Sequence, residues 1–519
     1  MAAACADDGT AFVVENGAVY ACGRGEDGQL GLNSREHQRL PARVGGEEVH
    51  GGLPVLMVAA GAFHRAALTV DGAIWTCGRG ADGKLGHGDA QDRLLPTRLG
   101  PEAFGGLPVV LVACGGAQTM ALTGGGCVWT CGNNDFGQLG HGDRTDKHLF
   151  MRVDPGHFGG ASIVMAAGGG FHSVVASAAG DVFTWGWGLY GRLGHNDGQD
   201  RLAPARLGRE QFGGGKIVFV AAGVSHTVAL AQGGVLWVWG YGVFGQLGLG
   251  DTDNRLVPTR LGAGEVFGGS LVRMAACGGF HTLVLTEEGV VWAFGQGAHC
   301  QLGLNNKDNR LVPTRVNPQR FGCAQVATVA GGWSHSAAVT EGGALFTWGR
   351  GEANPDNDSD DAGSQMTLDS DDSDDGSDDA GSHSVHPGSQ VPGGLGHADL
   401  RDRLEPTLVC PRLIGGARVG RWHGLTEELA LTFAMGTHAR LGAVAGGAGG
   451  GGRRRSRRVQ GKAPAGGEDD RGRCPYFMMP ADLVKRVVEA CRWGAGEEAK
   501  GFGEGVLRLM GVGRTRSLT

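Results

Sequence analysis

The sequence has no Cys-x-x-Cys pair among its 12 cysteines, no Gly-x-x-x-x-Gly-Lys-(Ser/Thr) loop and no Gly-x-Ser-x-Gly elbow in a strand-turn-helix setting. These absences argue against a thiol-zinc centre, a Walker-type nucleotide site and a serine hydrolase. No metal or cofactor is expected. The cysteines fit periodic strand positions and a reducing, intracellular setting, cytoplasmic or nuclear. The amino terminus, MAAACADDG, lacks a cationic start and meets an acidic pair too early for a secretory signal. Residues 217 to 250 contain no Lys, Arg, Asp or Glu, but their glycines and hairpin spacing fit strands, so no membrane association is expected. The 100 glycines show no three-residue period, which excludes a collagen-like chain and leaves recurrent tight turns.

What the sequence does contain is a repeat. Gly23, Gly78, Gly132, Gly186, Gly240, Gly295 and Gly349 each close an apolar segment and open a loop ending in Leu-Gly, and their spacing is always 54 or 55 residues. The loops read CGRGEDGQLG, CGRGADGKLG, CGNNDFGQLG, WGWGLYGRLG, WGYGVFGQLG, FGQGAHCQLG and an interrupted WGRG…GGLG. In the second copy, Val55 to Gly61, His64 to Val70 and Ala73 to Gly78 form three apolar runs, the last two joined by Asp71-Gly72, a hairpin signal. About four antiparallel strands per copy make one blade. Seven blades in a ring leave no long exposed edge, so the reading is an all-β, seven-bladed propeller over residues 10 to 440. The chain starts with the hairpin half of a copy, Ala11 to Gly23, and Val419 to Phe433 reads as the other half. The ring is therefore expected to close by pairing the two chain ends, with residues near 15 and 430 in one blade.

The glycine period, the Ala-Gly-x-x-His segment before the hairpin and the Arg-Leu-x-Pro segment after the Leu-Gly loop in most copies resemble the regulator of chromosome condensation repeat. The resemblance covers residues 10 to 440. It implies a seven-bladed propeller whose relatives include an exchange factor for the Ran GTPase, a plant ultraviolet-B photoreceptor and many adaptors. In the exchanger, acidic residues just before some of the repeat histidines help contact the GTPase. Here those places hold Phe63, Phe171, Ser225, Phe280, Ser334 and Trp422. Of the Trp-rich segments that the photoreceptor uses, only Trp333 has a counterpart.

His64, His172, His226, His281, His335 and His423 recur at one repeat position, with Gln118 in the remaining copy. A group needed once for chemistry would not recur in every blade, so these histidines, like the seven glycines, are read as structural, and no catalytic residue is assigned. Phe63, Phe171, Phe280, Trp333 and Trp422 share one loop position and form a candidate partner face, although they can equally pack beneath the loops.

Two charged segments break the repeat. Gly349 and Leu395 are 46 residues apart where Gly78 and Leu85 are 7 apart, and residues 352 to 379 of the insert hold 12 acids and no Lys or Arg. The insert, 352 to 392, is read as disordered. After a Gly/Arg-rich linker, 441 to 475, that carries Arg453, Arg454, Arg455, Arg457 and Arg458, residues 476 to 511 read as a short helical tail, with Leu483, Val484, Val487, Val488 and Cys491 on one face. The arginine run suggests a nuclear-localisation signal or a weak nucleic-acid patch. The expected function is a monomeric, non-enzymatic interaction platform for protein partners. The alternatives are guanine-nucleotide exchange on a small GTPase and chromatin binding through histones.

Overall fold

A computed structural model describes residues 2 to 409, apart from 7, 8, 15, 47, 48, 263, 264, 354 to 390, 393, 394, 396 and 398 to 401. The described residues form a seven-bladed propeller of four-stranded antiparallel sheets, and none of them is α-helical. Blade 2 shows the pattern: Val55–Ala60, His64–Thr69, Ile74–Gly78 and Arg93–Leu99 run from the inner strand outwards. These are the runs read from the sequence, with the outer Arg-Leu-x-Pro strand added. The turn at Asp71-Gly72 forms because Gly72 takes φ +78° and the Asp71 carboxylate accepts bonds from the Thr69 hydroxyl (2.6 Å) and the Ala73 amide (3.2 Å). Blades 3 to 7 repeat this order, and their second strands, such as His172–Ser177 and His226–Ala231, are buried along their whole length.

Blade 1 differs from expectation. Its inner strand is Ala2–Cys5, paired in register Ala2 with Val13 and Cys5 with Thr10, so residues 2 to 43 supply all four strands. Ala-Ala-Ala-Cys has the small apolar character of the other inner strands and takes the inner place assigned above to Val419–Phe433. That segment, His423, Trp422, the arginine run and the tail lie outside the described residues. The ring closes between blades 7 and 1 by ordinary blade contacts: the Trp333 amide donates to the Ala6 carbonyl (3.3 Å) and His335 Nε2 meets Thr10 Oγ1 at 3.1 Å.

The repeat histidines join blade to blade. His64 Nε2 lies 2.8 Å from Thr119 Oγ1, His172 2.9 Å from Thr227, His226 3.0 Å from Thr282, and His281 2.8 Å from Ser336 Oγ. Each of these hydroxyls donates onward to a carbonyl in the Leu-Gly loop of the preceding blade, at Lys84, Arg192, Gln246 or Gln301. A hydroxyl has one proton, so each imidazole must donate from Nε2, which fixes the tautomer of the neutral ring. The same loop carbonyls accept from the residue before the repeat glycine of the next blade: Trp185 on Gln138, Trp239 on Arg192 and Trp348 on Gln301, all within 2.8 to 2.9 Å. Six of the seven residues at that position are tryptophan or cysteine, both donors with apolar bodies; blade 6 has Phe294 there.

Burial holds His64, His226 and His281 down to about 3. An unfolded histidine takes up a proton near 6.5, so each of these contributes stability that is complete above that value and falls by up to about 1.4 kcal/mol per pH unit as pH drops towards 3. Urea midpoints should hold level from pH 8 to 7 and decline steeply between pH 6.5 and 4. His226→Ala should cost about 2 kcal/mol in urea unfolding, with His226→Gln, the residue type found at Gln118, recovering about half.

Candidate interaction face

The repeat glycines position the loops of one face. Gly186 and Gly240 take φ +103°, and a Cβ on either would lie 2.5 to 2.6 Å from the carbonyl of the residue before the repeat histidine. That turn lets the next amide bond the same carbonyl: Trp187 to Phe171 and Tyr241 to Ser225, each at 2.9 Å. The first loop residue is thereby set against the residue before the histidine.

An aromatic arc results. Phe136 stacks on Trp187 with centroids 4.6 Å apart, and both rings meet Phe171. Tyr190 meets Tyr241 at 4.7 Å, and Tyr241 and Phe244 both pack on Phe280, which touches Trp333 at 5.7 Å. The arc thus runs over blades 3 to 7. Phe280 is buried beneath the loops, whereas Phe136, Phe171, Trp187, Tyr190, Tyr241, Phe244 and Trp333 are half-buried, with Leu189 and Val243 exposed at the loop tips. Tyr190 sits at φ +62°, a backbone region a bulky side chain rarely takes, and its neighbour Arg192 is a fully buried cation whose guanidinium lies 4.2 Å from the Trp187 ring. Arg192 donates from Nε to Leu189 and from Nη1 to Val224, pinning the tip. Its desolvation lowers its affinity for a proton, to about 9.

Blades 1 and 2 are polar at the corresponding places. Arg24 pairs with Glu26 at 2.7 Å, Lys84 with Asp82 at 3.0 Å, and Arg79 lies over Phe63 at 5.5 Å. Of the sequence candidates, Phe171, Phe280 and Trp333 join the arc and Phe63 stands apart beneath Arg79. Phe136, Trp187, Tyr190, Tyr241 and Phe244 were not singled out, although each is visible as an aromatic one or four places after a repeat glycine. The strand register adds one further place: Gly9 pairs with Gly23 as His64 pairs with Gly78, so Gly9 takes the histidine position of blade 1 and Asp8 precedes it. Asp8 lies outside the described residues. Among the described rings, no two tryptophans are in contact.

An RCC1-like domain model matches residues 1 to 271, and regulator of chromosome condensation (RCC1) repeat models match 288 to 339 and 326 to 354. The chain belongs to the RCC1 repeat family. Within it, the chain is similar to the ultraviolet-B receptor UVR8 of Arabidopsis thaliana, 36% identical over 335 residues that make up 64% of this chain and 73% of the receptor. It is also 32% identical to the human E3 ubiquitin-protein ligase HERC2 over 345 residues, 66% of this chain but only 7% of that ligase. Among solved structures, human WBSCR16 superposes with a TM-score of 0.60 at 25% identity, covering 76% of this chain and 94% of that one. Prp20p of Saccharomyces cerevisiae, studied for its binding to Gsp1p and histones, superposes at 0.61 with 21% identity over 77% and 87%, a likeness of fold. The RCC1 propeller thus occurs in relatives that carry differing names and tasks.

Replacing Gly240 with alanine forces a side chain into a positive-φ position against the Ser225 carbonyl. It should destabilise the propeller by about 2 kcal/mol in urea unfolding, whereas Gly142→Ala, in open space at φ +82°, should cost about half as much.

Proposed function

We propose that this RCC1-family chain is a non-enzymatic protein-binding platform whose contact surface is the aromatic arc. The observation that carries this reading is two groups of packed rings, Phe136 with Phe171 and Trp187 and then Tyr190 through Tyr241 and Phe280 to Trp333, bridged by the Arg192 guanidinium over Trp187 and Tyr190 and flanked by exposed Leu189 and Val243. Such rings offer large, rigid contact area at low entropic cost, the composition of interface anchors rather than of an ordinary solvated rim. The acidic insert leaves from the same loop position in blade 7, where Glu352–Ala353 pairs with Val391–Pro392. A partner with an apolar anchor and a basic surround therefore fits best, the insert raising the encounter rate and the arc supplying the residence time. Exchange on a small GTPase and binding to histones are two tasks such a surface supports, and the polar arc of blades 1 and 2 is the less suited to anchoring either.

The full chain with Trp187→Ala and Tyr241→Ala should keep its melting temperature within a few degrees and lose co-purifying partners with an affinity drop on the order of 30-fold. Unchanged capture would overturn the assignment of this face. Partners kept with and without nucleotide support an adaptor, and a GTPase retained only when nucleotide is stripped supports exchange.

A further inference from the structure

The seam between blades 1 and 2 breaks the pattern of the other seams. Where five of the other six place a histidine and one places Gln118, blade 1 has Gly9, and where all six place a hydroxyl, blade 2 has Arg65. The two changes fit each other: Arg65 reaches back so far that a Cβ on Gly9 would lie 2.6 Å from its Nη2. Ala6 belongs to the same exchange. The matching glycines, such as Gly223 and Gly278, would drive a Cβ to within 2.1 to 2.4 Å of the imidazole of their own blade, a clash that blade 1 lacks the ring to make.

This leaves an unusual charge. Arg65 is 5% exposed, and all three of its guanidinium nitrogens are buried without a hydrogen-bond partner among the described residues. The groups acting on it electrostatically are the thiols of Cys77, Cys22 and Cys5, and burial pushes these up to between about 11 and 12, so they are neutral and supply no counter-charge. A guanidinium does not readily shed its proton to escape burial, and an isolated buried charge is strongly unfavourable. Arg65 also lines a cavity of about 20 Å³ whose other walls include Ala11, Ala21, Leu30, Trp75 and Cys77. Its walls carry little polar surface besides Arg65, so a small monovalent anion there would meet the guanidinium and otherwise apolar groups.

We propose that the blade 1 to blade 2 seam is completed by a halide-sized monovalent anion bound to the Arg65 guanidinium beside Gly9. The anion takes the place of the histidine-hydroxyl bond used elsewhere in the ring, and makes the stability of this seam depend on halide.

The test uses the full chain. At matched ionic strength, melting in chloride should exceed melting in gluconate, an anion too large for the cavity, by on the order of 2 °C or more, rising with the logarithm of chloride concentration. Crystals soaked in bromide should give an anomalous peak within hydrogen-bonding distance of Arg65. The triple variant Ala6→Gly/Gly9→His/Arg65→Thr, which rebuilds the bond of the other seams and the room its imidazole needs, should fold and melt identically in both salts. Equal melting of the wild-type chain in the two salts, absence of the bromide peak, or persistent halide dependence in the triple variant would each overturn the proposal. So would a loss of stability in Asp7→Asn/Asp8→Asn that is insensitive to halide, since a carboxylate would then be the counter-ion.

Discussion

The propeller depends on one hydrogen-bonded node repeated from blade to blade: an imidazole donating to a hydroxyl of the next blade, which donates back to a loop carbonyl. Each node ties three segments that are otherwise far apart in the chain, as His226, Thr282 and Gln246 show. It also explains the composition of the repeat. The histidine, the hydroxyl after the next histidine position, the tryptophan or cysteine before most repeat glycines and the Gln, Lys or Arg before Leu-Gly are members of one buried hydrogen-bonded network. The glycine three places before the histidine leaves room for the imidazole and for the carbonyl of the neighbouring blade.

A ring held in this way is rigid where its blades meet and free to vary at its loops. The loop that follows each repeat glycine is anchored at its first amide, so its side chains are presented at nearly fixed positions whatever they are. Blades 3 to 5 spend those positions on aromatics and blades 1 and 2 on ion pairs, and this division gives the face its two sides. Arg192 shows how closely scaffold and surface are joined: its backbone carbonyl serves the node with Thr227 and Trp239, while its side chain supports Trp187.

The outer interactions are of a different kind. The arginines of the Arg-Leu-x-Pro segments pair mainly within their own loops, Arg93 with Asp89 and Arg201 with Asp197. Links between blades come from other residues, Arg35 to Asp92 and Arg144 to Asp200 at 2.7 and 2.8 Å. Being largely exposed, these pairs contribute little beside the buried nodes.

Much of this was legible in the residues. The 54- or 55-residue period, the hairpins at Asp71-Gly72 and its counterparts, and the structural character of the histidines follow from signals a few residues long, because turn geometry and strand alternation are local properties. What the histidines bond to was not legible, since each partner lies about one whole repeat away and only the assembled ring brings Thr119 to His64. Nor was the inner strand of blade 1, expected from Val419–Phe433 and supplied instead by Ala2–Cys5, whose pairing with Thr10–Val13 no local pattern announces. The aromatic arc and the exchange of Gly9 with Arg65 belong to the same class. The sequence by itself determined the blades, whereas the meeting of residues from neighbouring blades was decided by closure of the ring, which fixes contacts between positions that no local pattern relates.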